Sequence, residues 1–195
     1  MRITQIEQKE FTGSFISIKK ADIRALVFIQ RHMRSDALDS IMRFFTRLGN
    51  GGILWLLTAA VMWTMPRLRR CSVSIAVVLV VGVLTGNLII KRLSSRSRPF
   101  DDYSSIRPLV KPPKDCSFPS CHSMSSFACA TIICCFSVPL GAIALSIATI
   151  IAFSRLYLFV HYPSDVVVGV LWGIIIALST NWYLSNFVFE IPMAF

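Results

Sequence analysis

The stretch FPSCHSM, residues 118 to 124, sets Cys121 beside His122 at the head of a long apolar run. Those residue types fit a thiol nucleophile, half of a metal site, or a site that handles phosphate. Two further clusters bear on the choice. KRLSSRSRP carries Lys91 and Arg98, and SRLYLFVHYPSD carries Ser154, Arg155, His161 and Asp165. Lys91, Arg98 and Arg155 could together bind the oxygens of a phosphate, arginine through forked donors. A carboxylate at Asp165, bonded to one imidazole nitrogen of His161, would fix the tautomer and leave the other nitrogen free to attack. His122 then suits the acid that protonates a departing alkoxide, a role that contributes on the order of 100- to 10,000-fold in rate. Ser120 and the backbone amides opening the next helix can bind a phosphate oxygen, because helix N-termini favour anions.

These clusters need elements that bring them together. The chain has 195 residues, of which 54% are hydrophobic, and its mean hydropathy is clearly positive. Apolar stretches of roughly 18 or more residues with few charges are membrane-spanning helices. The expectation is an all-α polytopic bundle with about five spans, near 51–65, 72–91, 120–138, 140–158 and 165–187, the first extended by the helix before it. PRLRR ends the first span and HYPSD opens the last. Two spans separate the 92–117 loop from the 159–164 link, so all three polar clusters fall in one layer of the membrane. A cation at that depth is expensive unless it meets an anion.

Residues 1–48 form an expected N-terminal segment of amphipathic helices lying at the interface, and 49–195 the embedded domain, one domain overall. Lys19, Lys20 and Arg24 argue against an extra span there. The opening residues MRITQIEQKEFTG lack the apolar run and small-residue cleavage site of a removable leader. Positive-inside logic puts PRLRR in the cytoplasm. It also objects, because the 92–117 loop is still more basic, and phosphate binding would account for those charges. The net charge of +10 sits in membrane-flanking segments, where anionic lipid is a more natural partner than nucleic acid, for which no motif exists.

K-x6-RP, PSxH and SR-x5-H-x3-D, in that order and spacing over roughly residues 36–187, resemble the type 2 phosphatidic acid phosphatase superfamily. Any one block is weak; the three together are specific. The resemblance implies a metal-free, cofactor-free phosphatase with a phosphohistidine intermediate, on a helical core like that of acid phosphatases and vanadium haloperoxidases. It implies His161 as nucleophile, Asp165 as its partner and His122 as the acid. Lys91, Arg98, Ser120 and Arg155 are the implied phosphate ligands. The second block commonly reads PSGH, and Cys121 here replaces the glycine, so its contribution is expected from the backbone amide rather than the thiol. In bacterial membrane members this face is extracytoplasmic, which resolves the objection from positive-inside logic. The implied substrate is a lipid phosphate or diphosphate. Undecaprenyl diphosphate is favoured, with phosphatidylglycerophosphate and phosphatidic acid as alternatives and a non-catalytic lipid-binding protein as a distant one.

Blander expectations apply elsewhere. His32 is an interfacial residue. Arg92, Arg96, Arg107, Lys111 and Lys114 solvate a loop or touch headgroups, and Asp101 and Asp102 neutralise it. Trp55, Trp63 and Trp182 anchor span ends. Asn87 either orients Lys91 or serves packing. Cys129, Cys134 and Cys135 act as small apolar residues, and a Cys116–Cys121 disulfide is disfavoured.

Overall fold

A computed structural model describes residues 16–103 and 106–189. The expectations about the leader and about the chain's two ends fall on residues 1–15 and 190–195, outside the described residues. Every regular element among the described residues is helical. In order they are α1 (Ile16–His32), α2 (Asp36–Leu48), α3 (Ile53–Trp63), α4 (Arg69–Gly82), α5 (Lys91–Ser94), α6 (Pro99–Asp102), α7 (Cys121–Phe136), α8 (Val138–Tyr157) and α9 (Pro163–Tyr183). Wider helical turns over Val83–Ile90 join α4 to α5.

The continuous stretches Pro66–Asp102, Val138–Tyr157 and Pro163–Val188 are each long and apolar enough to cross a membrane. A fourth crossing is available if α2 and Asn50–Trp63 count as one span, bent by 51°. The remaining expected span, 120–138, is α7, whose 16 residues rise only about 24 Å, less than a bilayer's hydrocarbon core. Its length suits its position: α7 packs against α4, α8 and α9, and Ala128, Cys129, Ala130 and Ile132 are fully buried. The protein is a multi-pass membrane helical bundle built around α7.

Two local features set the register of the site. Gly51 and Gly52 have φ of 59° and 71°, a left-handed conformation that glycine adopts without steric cost. Together they break the chain between α2 and α3 instead of continuing one helix, as the sequence suggested. In α9, a Cβ at Gly169 would lie 2.6 Å from the Ser120 carbonyl oxygen. Only glycine lets α9 lie this close to the start of α7.

The N-terminal helices rest on the ends of α8 and α9. Ser35 caps α2 by accepting from the Leu38 amide at 3.3 Å, the preferred use of serine at a helix start. From α1, Ile23, Leu26 and Val27 pack with Phe159 and Tyr162 of the link between α8 and α9. Trp55 departs from expectation. It is 2% exposed and donates from Nε1 to Ser126 Oγ at 3.1 Å, so it is a core residue rather than an anchor. Trp63 and Trp182 are exposed.

Candidate active site

HYPSD is a helix-start sequence, and its chemistry follows from that. Pro163 occupies the first turn of α9, where a missing N–H costs nothing. Asp165, three residues past the cap, turns its Oδ2 back to the Tyr162 amide at 2.9 Å, half of a capping box. The same oxygen accepts from Ser117 Oγ at 2.5 Å. Its partner Oδ1 accepts from Arg96 Nη1 at 2.6 Å. Asp165 is thus fully buried and tightly held, with His161 one helical turn before it.

His161 Nδ1 lies 3.6 Å from Asp165 Oδ2, beyond hydrogen-bond distance, and has no other partner. A closure of about 0.6 Å would form the bond. On the other side, His161 Nε2 meets Arg98 Nη1 at 3.2 Å. Guanidinium nitrogens only donate, so Nε2 must accept, which leaves the ring proton on Nδ1, facing Asp165. Burial pushes the imidazole well below its ordinary range, and Arg155, Arg98 and Lys91 push it the same way. A neutral ring with its Nε2 lone pair toward the cations is in the tautomer that nucleophilic attack through Nε2 would require.

Arg98 is fixed along its whole guanidinium. Nη1 donates to the Val160 carbonyl at 2.7 Å, and Nε donates to the Asp115 carbonyl at 2.8 Å. Nη2 meets Asp115 Oδ1 at 2.7 Å. Lys91 Nζ reaches Asp115 Oδ2 at 2.5 Å and Cys121 Sγ at 3.8 Å. Arg155 donates to Thr46 Oγ1, while its Nε has no partner. All three cations are buried.

Lys91, Arg98, Cys121, His122, Arg155 and His161 line one cavity of about 570 Å³, whose other wall is apolar and includes Leu56, Leu79, Val80 and Val83. Ser120 is not among the residues that line it. It is fully buried, its hydroxyl meets Ser123 Oγ at 2.9 Å, and its amide donates to the Asp165 carbonyl at 3.1 Å. It ties the start of α7 to the start of α9. Cys116 and Cys121 are not joined in a disulfide.

Several residues here escaped the sequence reading. Arg96 does not solvate a loop. It bridges Asp165 to Asp22 of α1, with Nη2 to Asp22 Oδ2 at 2.8 Å, and its guanidinium lies over the Tyr162 ring at 4.3 Å. Asp22 also accepts from the Ser164 amide at 2.9 Å. Asn50, in the break between α2 and α3, places Oδ1 2.9 Å from His122 Nε2. The signal available for Asn50 was the run Gly49-Asn50-Gly51-Gly52, a turn sequence ahead of an apolar helix. Asp102 accepts from Tyr162 Oη at 2.7 Å and pairs with Lys19, so it ties elements together rather than neutralising a loop. The side chain of Asn87 lies outside the described residues.

Known proteins resemble the chain in sequence and in fold. Residues 71–189 match the PAP2 superfamily. The chain is 32% identical over 146 residues to the bacitracin transport permease protein BcrC of Bacillus licheniformis, covering 74% of this chain and 68% of that protein. It is 26% identical over 137 residues to an undecaprenyl-diphosphatase of Sulfolobus acidocaldarius, covering 70% of this chain and 66% of that one. A decaprenylphosphoryl-5-phosphoribose phosphatase of Mycobacterium tuberculosis is 37% identical over 134 residues, 67% of this chain and 72% of its own. In fold, the chain superimposes on the PAP2-type phosphatidylglycerolphosphate phosphatase of Bacillus subtilis with a TM-score of 0.70 at 23% identity, covering 95% and 93%. The TM-score against LpxE of Aquifex aeolicus is 0.69 at 24% identity, covering 89% and 98%.

Proposed function

This chain belongs to the PAP2 superfamily, and from that premise we propose that it hydrolyses a lipid phosphate through a phosphohistidine at His161. The observation that carries the reading is the convergence of three buried cations, Lys91, Arg98 and Arg155, on one cavity beside a neutral buried histidine. Buried cations are costly without an anion; Asp115 pairs with two of them here, and a phosphoryl group is the anion that could engage all three. His161 Nε2 attacks phosphorus, and the developing imidazolium passes its charge toward Asp165 through Nδ1–H. The cations hold the equatorial oxygens as charge builds there. His122, oriented by Asn50, gives its proton to the leaving oxygen and later draws one from the water that releases phosphate. The amides of the first turn of α7, that of Cys121 among them, add donors at a helix N-terminus.

Undecaprenyl diphosphate is the preferred substrate. The apolar wall of the cavity suits a lipid chain, and the Sulfolobus acidocaldarius relative bears the name undecaprenyl-diphosphatase. Phosphatidylglycerophosphate and phosphatidic acid are the alternatives. The cations supply the charge that a metal would otherwise bring, so the reaction proceeds without one. The same proposal puts the cavity on the extracytoplasmic side of a bacterial cell membrane, with residues 1–48 as a segment lying at the interface. Phosphate release from each purified lipid in excess chelator tests the reading. Release fastest from the prenyl diphosphate is expected. Release only after magnesium is restored, or none from any lipid phosphate, would overturn it.

A further inference from the structure

Asp115 is the one acidic side chain that the cavity's lining contains among the described residues. Its two carboxylate oxygens are divided between Lys91 Nζ at 2.5 Å and Arg98 Nη2 at 2.7 Å. A carboxylate bridging two cations in this way makes the contacts that two oxygens of a phosphate would make. Lys91 and Arg98 cannot offer the same protons to both anions, so the two are mutually exclusive at these positions.

The way Asp115 is held lets it leave without disturbing the site. Its main-chain carbonyl accepts from Arg98 Nε at 2.8 Å, and the Cys116 carbonyl accepts from Arg98 Nη2 at 3.3 Å. Two residues on, the Ser117 amide donates to the Arg96 carbonyl at 2.8 Å. The backbone is therefore pinned to Arg98 and Arg96. The side chain, by contrast, is 55% exposed, whereas those of Lys91 and Arg98 are 10% and 3% exposed. A turn about the Cα–Cβ bond takes the carboxylate into open space while the main chain stays fixed, a motion of exposed side chains on the picosecond-to-nanosecond scale.

Building on the phosphatase reading, we infer that Asp115 is a resident anion of the phosphate site, displaced by substrate and returning to expel the product phosphate. Between turnovers it holds the Lys91 and Arg98 cations in place and spares them an unpaired burial. On entry, every phosphate must exchange with it, so it weakens all phosphate-like ligands by a common factor. Inorganic phosphate has no lipid chain in the apolar part of the cavity to compensate. The loss of affinity therefore falls hardest in practice on the product, which leaves.

The test uses the purified full-length protein and needs no lipid for its main readout. Binding of inorganic phosphate and of orthovanadate is measured for the wild type, Asp115→Asn and Asp115→Ser. The near-isosteric Asn variant keeps the volume, and the Ser variant serves if Asn fails to fold. Both are expected to bind both anions at least tenfold more tightly, with KM for a lipid phosphate lowered as well. Binding that is unchanged or weaker, or weaker binding with a fall in kcat, would overturn the inference and make Asp115 a positioning residue for the two cations. If the wild type binds phosphate and the variants bind no better, only this inference fails. If neither wild type nor variant binds phosphate, the phosphatase reading fails with it.

Discussion

At the scale of single residues, the proposed chemistry separates a nucleophile from a bystander. Cys121 stands near Lys91, yet the chemistry is assigned to His161, whose tautomer is dictated by a donor-only arginine on one side. Cys121→Ser keeps the amide and nearly the volume, so activity within a few-fold of wild type is expected. A thousandfold fall in phosphate release, about 4 kcal/mol of transition-state stabilisation, would show that the thiol takes part. The depressed His161 also leaves a thermodynamic mark. Its folded-state value lies below the ordinary 6.5, so as pH falls through that value the unfolded chain binds a proton that the folded one refuses. Stability should therefore drop with falling pH below about 6.5 from this group. Thermal denaturation of His161→Asn against wild type is expected to show a shallower loss over that range. Parallel curves would mean that the ring protonates equally in both states.

The same scale shows why sequence served some residues and not others. Lys91, Arg98, His122, Arg155, His161 and Asp165 sit in short blocks whose order and spacing are readable directly. Asp22 and Arg96 are 74 residues apart, and nothing in either neighbourhood names the other. Their pairing is decided by how α1 docks, which is a tertiary fact. Asp115 is similar: an acid in a basic loop looks like simple neutralisation until the loop folds back over Arg98.

At the scale of elements, apolar run lengths were enough to locate α4, α7, α8 and α9. The break after α2 was not anticipated, because the apolar helices on either side suggested one extended span, although the run Gly49-Asn50-Gly51-Gly52 marks a turn there. That break presents Asn50 to His122. Through Asp22 and Arg96, α1, a helix outside the motif blocks, is tied to Asp165, and on the proposed mechanism Asp22 is a positioning residue. Asp22→Asn leaves Arg96 free to pull on Asp165 alone. The variant should lose roughly tenfold in kcat, about 1.4 kcal/mol, with KM nearly unchanged and vanadate binding retained. A rise in KM at constant kcat would instead mean that α1 helps to admit the lipid.

At the scale of the whole molecule, three polar clusters from distant parts of the chain line one cavity because the helices bring their ends there. The cavity joins that polar layer to an apolar wall between α3 and α4, as an enzyme for a lipid with a charged head requires. On the proposal that α1 lies at the interface rather than across it, the N-terminus is expected outside the cell and the C-terminus in the cytoplasm. Cysteine labelling of intact cells at both ends would check this, and both ends in the cytoplasm would mean that the N-terminal segment crosses the membrane.

The central claim is that His161 carries the phosphoryl group, and one measurement addresses it directly. Turnover of a lipid phosphate radiolabelled in the scissile phosphoryl group is quenched into alkali, and the labelled peptide is mapped in parallel for wild type and His161→Ala. The account predicts a label that is stable in alkali and lost in acid, located at His161 and absent from the variant. Turnover in His161→Ala should fall at least a thousandfold, about 4 kcal/mol, while the variant remains folded and inserted. A label that survives acid or maps to Cys121, or His161→Ala turning over near the wild-type rate, would contradict it.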